Sequence, residues 1–363
     1  MMAFCLARWW CAGHYPWRIG FDDADHISAG LLWAEHGRLS DDGPFLRVPL
    51  WPMLLGTFFR PFGIAAGLFL VQSSVVLATL VLYLQYTAPL RGRARPSVIY
   101  LPAAVFVLSP QVLLYTRHAV NEPFVGLLTV AVMFAGLKTS IRRAVGLGAL
   151  CGLAAMTKIA AAALAVPALA MTTRSKATAS RAAPLAWFAL GLTLVVAPIV
   201  SLHVAQRGWV PIDTTAAFDL SRYEPPEWWA LGDPIQRYEA GMADFRQTFS
   251  RDPAAYLGGF VLRLGGWILR PASADFARFY PDYPHGALRA WDTVVFFALG
   301  LAAILGTDRR NAAIWVFVLA VVVGCTFPRH TPFTPKAMLI FPFLLLAPYG
   351  LVRLRPRRSP GRL

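Results

Sequence analysis

The sequence predicts an all-α polytopic membrane protein, and three observations carry that prediction. Of the 363 residues 57% are hydrophobic and 15% charged, with a mean hydropathy of +0.52, whereas a soluble domain is nearer ~25% charged and ~45–50% apolar. Apolar runs such as Ile64–Tyr86 and Ala183–Leu202 reach the ~20 residues that cross a bilayer core. Basic clusters punctuate those runs: Arg91/Arg93/Arg95, Lys138/Arg142/Arg143, Arg174/Lys176/Arg181, Arg309/Arg310 and Arg353/Arg355/Arg357/Arg358/Arg362.

The clusters orient the chain. They hold sixteen basic residues and one acid, Asp308, in short loops and a tail, and short loops rich in Lys and Arg stay cytoplasmic. The other eighteen basic residues balance the other eighteen acids, so the whole net charge of +15 lies on the cytoplasmic side. It is an orientation signal with some attraction to anionic inner-leaflet lipid, not a nucleic-acid footprint.

Outer segments follow at about Gly13–Pro49, Thr116–Glu122, His203–Leu288 and Phe327–Lys336. Spans are predicted at about 64–86, 97–115, 121–137, 183–202, 289–306, 312–326 and 337–352. Residues 144–172 have basic flanks on both sides and must cross an even number of times. Lys158 marks the midpoint, so two short, neighbour-shielded spans are expected with Lys158 at the outer surface. That makes nine spans, or ten if residues 1–12 are the remnant of a first helix. Those twelve residues contain Arg8 and are too few to span, so the start is expected to lie upstream of Met1, and they are no cleavable signal peptide. The organisation predicted is an N-terminal transmembrane module (1–202) with a site-bearing first outer loop (13–63), an outer cap loop (203–288), and C-terminal helices with a basic cytoplasmic tail (289–363).

Cys5, Cys11, Cys151 and Cys325 all fall in apolar stretches and match neither a disulfide framework nor a zinc spacing. They read as small buried residues. The acids behave differently, crowding the outer segments. The first outer loop carries Asp22, Asp23, Asp25 and His26, an amphipathic segment Ile27–Gly37, then Asp42-Gly43-Pro44 and Arg47 before Pro49. Adjacent carboxylates beside a membrane raise each other's pKa, and one can then act as a general base. The alternative is a solvated acidic loop that holds this end outside. Residues 49–63 are apolar but interrupted by prolines, which fits a helix lying in the interface, with Arg47 and Arg60 at headgroup depth. For each Arg the alternative is simple snorkelling.

This ordered pattern resembles the GT-C glycosyltransferases, and more closely the bacterial branch related to protein O-mannosyltransferases and the lipid A aminoarabinose transferase. The acidic pair, the amphipathic segment, D-G-P, a basic residue, P-L-x-P and a final F-G all stand in the family's order. Downstream, Ser109-Pro110 through Arg117 to Asn121-Glu122-Pro123 matches its S-P…R…T-E-P stretch. The run from Gly148 to Lys158 matches its G-x-x-x-G-L-A-x-L-T-[KR] hairpin. Gly208 to Leu220, Asp252-Pro253 to Tyr256, and Lys336 to Phe343 follow its later segments. Departures are Asp23 where a Glu is usual, the extra acid Asp25, Asp219 in place of an Asn, and the short first helix.

The resemblance implies a bacterial plasma-membrane enzyme of the cell envelope, multi-pass, with an outward-facing (periplasmic) site and a cytoplasmic C-terminus. It implies transfer of a sugar, as mannosyltransferase-like enzymes do, from a polyprenyl-phosphate carrier to a lipid, glycan or protein acceptor, with inversion. Asp22 stands at the family's catalytic base, with Asp23 beside it. Arg47 stands at its phosphate-contacting position, and Lys158, Arg117, Lys336, Glu122 and His26 are further substrate or donor-phosphate candidates. Each has a plain structural alternative: Lys158 capping a hairpin, Glu122 complementing a helix dipole, His26 incidental. No cofactor or metal is required, although three close acids leave room for a divalent ion. A transporter or lipid flippase is the competing function, and a non-catalytic subunit of the same fold is the third. Transporters favour midplane charges on discontinuous helices and repeated halves, whereas these acids lie in outer loops and no internal repeat is present.

Overall fold

The computed structural model describes residues 21–38, 48–92, 94–109, 112–113, 116–136, 140–173, 182–207, 234–269, 285–308, 312–326 and 334–354. Residues 1–12, Arg47 and the basic tail beyond 354 lie outside them. Regular structure among the described residues is helical throughout, with no strand. In chain order the helices are α1 Phe21–His36, α2 Leu50–Tyr86, α3 Pro96–Val107, α4 Glu122–Ala135 and α5 Ile141–Ala155. A 3-10 turn Ile159–Leu164 then leads into α6 Ala165–Thr173. They are followed by α7 Ala182–Arg207, α8 Pro234–Arg251, α9 Pro253–Leu269, α10 His285–Gly306, α11 Ile314–Thr326 and α12 Thr334–Arg353.

The sequence dictates the breaks. α2 is two limbs joined at Gly63, whose φ of 74° and ψ of 170° leave the helix two residues after Pro61. Only glycine adopts that backbone readily, so the interface limb 50–62 turns back on the limb 64–86, and Gly67 lies close against Phe58 and Phe59. The second limb is about 34 Å long at ~1.5 Å per residue, enough for a ~30 Å bilayer core. Lys158 is extended (φ −156°, ψ 125°) between α5 and the 3-10 turn, which is the predicted mid-run break.

Two boundaries differ from the sequence reading. Within the span expected at 97–115 the helix breaks after Val107, and helix returns at the described residues 112–113. Ser109 precedes Pro110, whose ring disfavours helical backbone in the residue before it. The acids 22 and 23, expected in a loop, lie in the first turn of α1, because that helix starts at Phe21 rather than Ile27. The expected cap loop also contains regular structure: α7 runs on to Arg207, and α8 and α9 occupy 234–269.

Helix partners run parallel where small residues let them approach. On α5, Gly148 and Gly152 meet Phe188, Leu192 and Val195 of α7, while Gly191 of α7 meets Val145 and Ala149. On α10, Gly300 and Gly306 meet Phe343 and Leu346 of α12, and Gly126 of α4 meets Phe341. These contacts place the C-terminal ends of α2, α4, α10 and α12 together. Tyr349 Oη donates to the Tyr86 carbonyl at 2.8 Å. Arginines from the predicted cytoplasmic clusters donate to terminal carbonyls at this end: Arg91 to Leu84 (3.0 Å), Arg143 to Ala135 (3.4 Å), and Arg353 to Leu305 and Thr307 (both 2.7 Å). Cations there complement the helix dipoles.

The outer surface is apolar where water would demand otherwise. Leu101, Leu194, Leu301 and Leu319 are each about 60% exposed, while Glu122, Asp292 and Lys336 are buried. Such an inside-out distribution suits a lipid solvent. α2 and the 182–205 part of α7 are long and apolar enough to cross a bilayer, and the other apolar helices among the described residues run 10–17 residues. The chain is an all-α membrane protein.

Candidate functional site

The opposite end of the bundle, where α2 and α4 start and α5 stops, gathers the predicted site residues. Pro123 follows Glu122 at the start of α4 and sets a helix-compatible φ, and Glu122 places an acid in the first turn. Asn121 does not cap this helix with its side chain. Its amide reaches across instead and donates to the Thr157 carbonyl at 2.8 Å. The Leu50 N–H donates to the Met156 carbonyl at 3.0 Å. Segments 49–51, 121–122 and 156–158 are thereby fastened together.

At that junction Lys158 Nζ donates to Glu122 Oε1 at 2.7 Å, with side chains 20% and 6% exposed respectively. The other carboxylate oxygen, Glu122 Oε2, is buried and accepts no hydrogen bond from the described residues. The pair therefore keeps a spare acceptor inside the protein.

Residues 116–121 form no regular structure, so their backbone groups need other partners. Trp51 Nε1 donates to the Ala119 carbonyl at 2.6 Å, and Gln72 Nε2 donates to His118 (2.8 Å) and Val120 (3.0 Å) carbonyls. The Trp51 ring also stacks on Phe124, centroids 5.5 Å apart. Arg117 and His118 are buried in this segment. α1 joins the same hub through Ile27, which packs with Trp51, Leu55, Leu68, Val71 and Ala119. His26 is buried beside it. Asp22 and Asp23 sit one turn ahead of His26 and Ile27 in α1, and their side chains lie outside the described residues, as does Arg47.

Lys336 is 1% exposed, with Nζ 5.2 Å from the Phe296 ring centroid and 5.8 Å from Phe297. The carboxylate of Asp292, equally buried, interacts with it electrostatically. Gly126 meets Phe341, and Glu122 and Lys336 stand four and five residues before those contacts on parallel helices. Both are thus about 6–7.5 Å further toward the same end of the bundle. The structure brings Glu122 and Lys158 into contact, places Arg117 and His26 in the adjoining hub, and sets Lys336 in a neighbouring ionic environment.

Asp292 was not singled out by motif. Its signal was available: it is an isolated acid in the apolar run 289–306, and ionisable residues in such runs are functional by default. Trp51 and Gln72 carried no such signal, because their role is to satisfy carbonyls 46–68 positions away.

No family model matches the chain, and no curated protein matches it. Among solved structures the chain is similar to ArnT from Cupriavidus metallidurans, crystallised bound to undecaprenyl phosphate. The TM-score is 0.58 at 14% identity, over 98% of this chain and 60% of that one. The chain thus spans about 60% of that structure's length. At this identity the likeness is one of fold, and the fold of this chain is an all-α, GT-C-like membrane fold.

Proposed function

We propose that the protein is a multi-pass membrane glycosyltransferase that moves a sugar from a polyprenyl-phosphate carrier to an acceptor hydroxyl on the outer face, with inversion. The observation that carries this reading is the Glu122–Lys158 pair: a lysine whose side chain is one-fifth exposed, held by a buried carboxylate, at the bundle end away from the basic clusters. The GT-C-like likeness to a structure holding undecaprenyl phosphate supports it.

In this reading Asp22, with Asp23 adjacent, removes the proton from the acceptor hydroxyl as its oxygen attacks the anomeric carbon in line. The bond from that carbon to the phosphate oxygen breaks, and the carrier leaves as a lipid phosphate. Lys158 exchanges its Glu122 partner for a phosphate oxygen, and Arg117 and Arg47 add cationic donors suited to phosphate. Released from Lys158, Glu122 accepts from a substrate hydroxyl through the oxygens it then has free. Lys336, its charge balanced by the buried Asp292, is a neighbouring ion pair and is not assigned a phosphate contact. Basic side chains do this work, and no metal enters it. The transporter alternative favours repeated halves, and the sequence holds no internal repeat.

Binding of undecaprenyl phosphate to purified full-length protein tests the phosphate role. Losing a charged donor costs about 1.5–3 kcal/mol, so Lys158→Ala is expected to weaken binding roughly tenfold or more. Unaltered affinity in Lys158→Ala would remove Lys158 from the site.

A further inference from the structure

Two consecutive helices in the expected cap present opposite surfaces. α8 exposes Gln236, Glu239, Arg246, Gln247, Ser250 and Arg251. α9 begins two residues after Arg251. From Pro253 to Gly265 every described residue that is exposed is Pro, Ala, Gly, Leu or Val. Leu257, Val261 and Leu262 are 46%, 63% and 79% exposed, and positions 254, 257, 258, 261 and 265 follow helical spacing along one stripe.

The opposite face of α9 is anchored. Tyr256 is buried, its ring edge-on to Phe245 at 5.6 Å and Phe249 at 5.7 Å, both on α8. Leu264 packs against the main core, and α9 lies against α11. α11 itself exposes Val316, Leu319 and Val323, part of the apolar surface that marks this chain as a membrane protein. The bare stripe of α9 therefore continues a lipid-facing surface, while α8, two residues away, is dressed for water. At ~1.5 Å per residue, α9 is about 25 Å long, short of the ~30 Å core.

We propose that α9 is seated in the bilayer, its Leu257–Val261–Leu262 stripe against lipid, and that α8 lies at the water boundary above it. The partner of this surface is membrane lipid, and residues 234–269 form a membrane-seated hairpin in place of a purely aqueous cap. Hydrocarbon burial accounts for a stripe that water would penalise, and the Tyr256 ring clamp fixes the polar and apolar helices relative to each other.

The test uses full-length protein in phosphatidylcholine/phosphatidylglycerol vesicles, carrying a bimane label at one position: Leu262→Cys, Arg246→Cys or, as lipid-facing reference, Leu319→Cys. The background replaces Cys5, Cys11, Cys151 and Cys325 by Ala. Doxyl-labelled phosphatidylcholine is expected to quench the 262 label by the same fraction as the 319 label and to leave the 246 label largely bright. A 262 label that follows 246, quenched by iodide instead, overturns the proposal. So does a 262 label shielded from both quenchers, which would mean that a second copy or a carrier's apolar chain covers the stripe. If the cysteine-free background does not fold, a fluorescent amino acid introduced at 262 by codon suppression gives the same readout with all native cysteines in place.

Discussion

Lys158 Nζ lies 2.7 Å from Glu122 Oε1, and the two residues are 36 positions apart in sequence. The contact closes the end of α5 onto the start of α4, beside the Asn121–Thr157 hydrogen bond, so the atoms of the proposed site also hold the architecture together.

Removing one partner exposes that double duty. Lys158→Met leaves the Glu122 carboxylate buried without its cation. Breaking a buried pair this way costs roughly 3–5 kcal/mol when both partners are fully buried. With Lys158 one-fifth exposed, about 2 kcal/mol is expected. Adding Glu122→Gln to Lys158→Met should recover most of that loss. Thermal unfolding of the two single variants and the double variant in nanodiscs measures the coupling, and strict additivity would show that the pair stabilises nothing.

Gln72 is expected to be a structural determinant of the site although it touches no predicted catalytic group. Gln72→Glu keeps the shape and loses both donors to the His118 and Val120 carbonyls. Each orphaned buried acceptor costs about 1–3 kcal/mol. The variant should unfold at lower temperature and bind undecaprenyl phosphate more weakly, through displacement of Arg117. Limited proteolysis at 116–121 reads the loosening directly.

The parallel α5–α7 contact gives two substitutions of opposite sign. A β-carbon at Gly148 meets the Phe188 carbonyl and Leu192 N–H of the facing backbone, whereas one at Gly146 meets nothing within 4 Å. Gly146→Ala should be neutral or stabilising by up to ~1 kcal/mol through helix propensity. Gly148→Ala should destabilise, because the two backbones must move apart. Unfolding temperatures of the two variants in one detergent decide the matter.

Much of this architecture was legible in the sequence. The basic clusters expected on the cytoplasmic side also supply Arg91, Arg143 and Arg353, which donate to the last carbonyls of α2, α4 and α10. Pro61 with Gly63 announced the break in α2, and Lys158 announced the break after α5. Of the site, the Asn121-Glu122 and Thr157-Lys158 segments were legible as motifs, while their pairing was not, since no local pattern links positions 36 apart. Asp292 and Lys336 are separated further still, with α11 between their helices. α9 gives no span signal in the sequence because Arg263 interrupts its apolar run, inside a segment otherwise rich in charge. The extent of α1 was missed because Asp22 and Asp23 read as loop residues, although acids are favoured in a helix's first turn.

In the proposed reaction an aspartate of α1's first turn activates the acceptor while cations near Glu122 receive the lipid phosphate. Its most direct measurement is transfer from radiolabelled polyprenyl-phosphate sugars by purified wild-type protein and by Asp22→Asn and Asp23→Asn, with a membrane extract supplying acceptors. Expected are transfer by wild type, a loss of about 10²–10⁴-fold in Asp22→Asn with donor binding retained, and a smaller loss in Asp23→Asn. Undiminished transfer in both variants, or none by wild type with any carrier sugar, would contradict it.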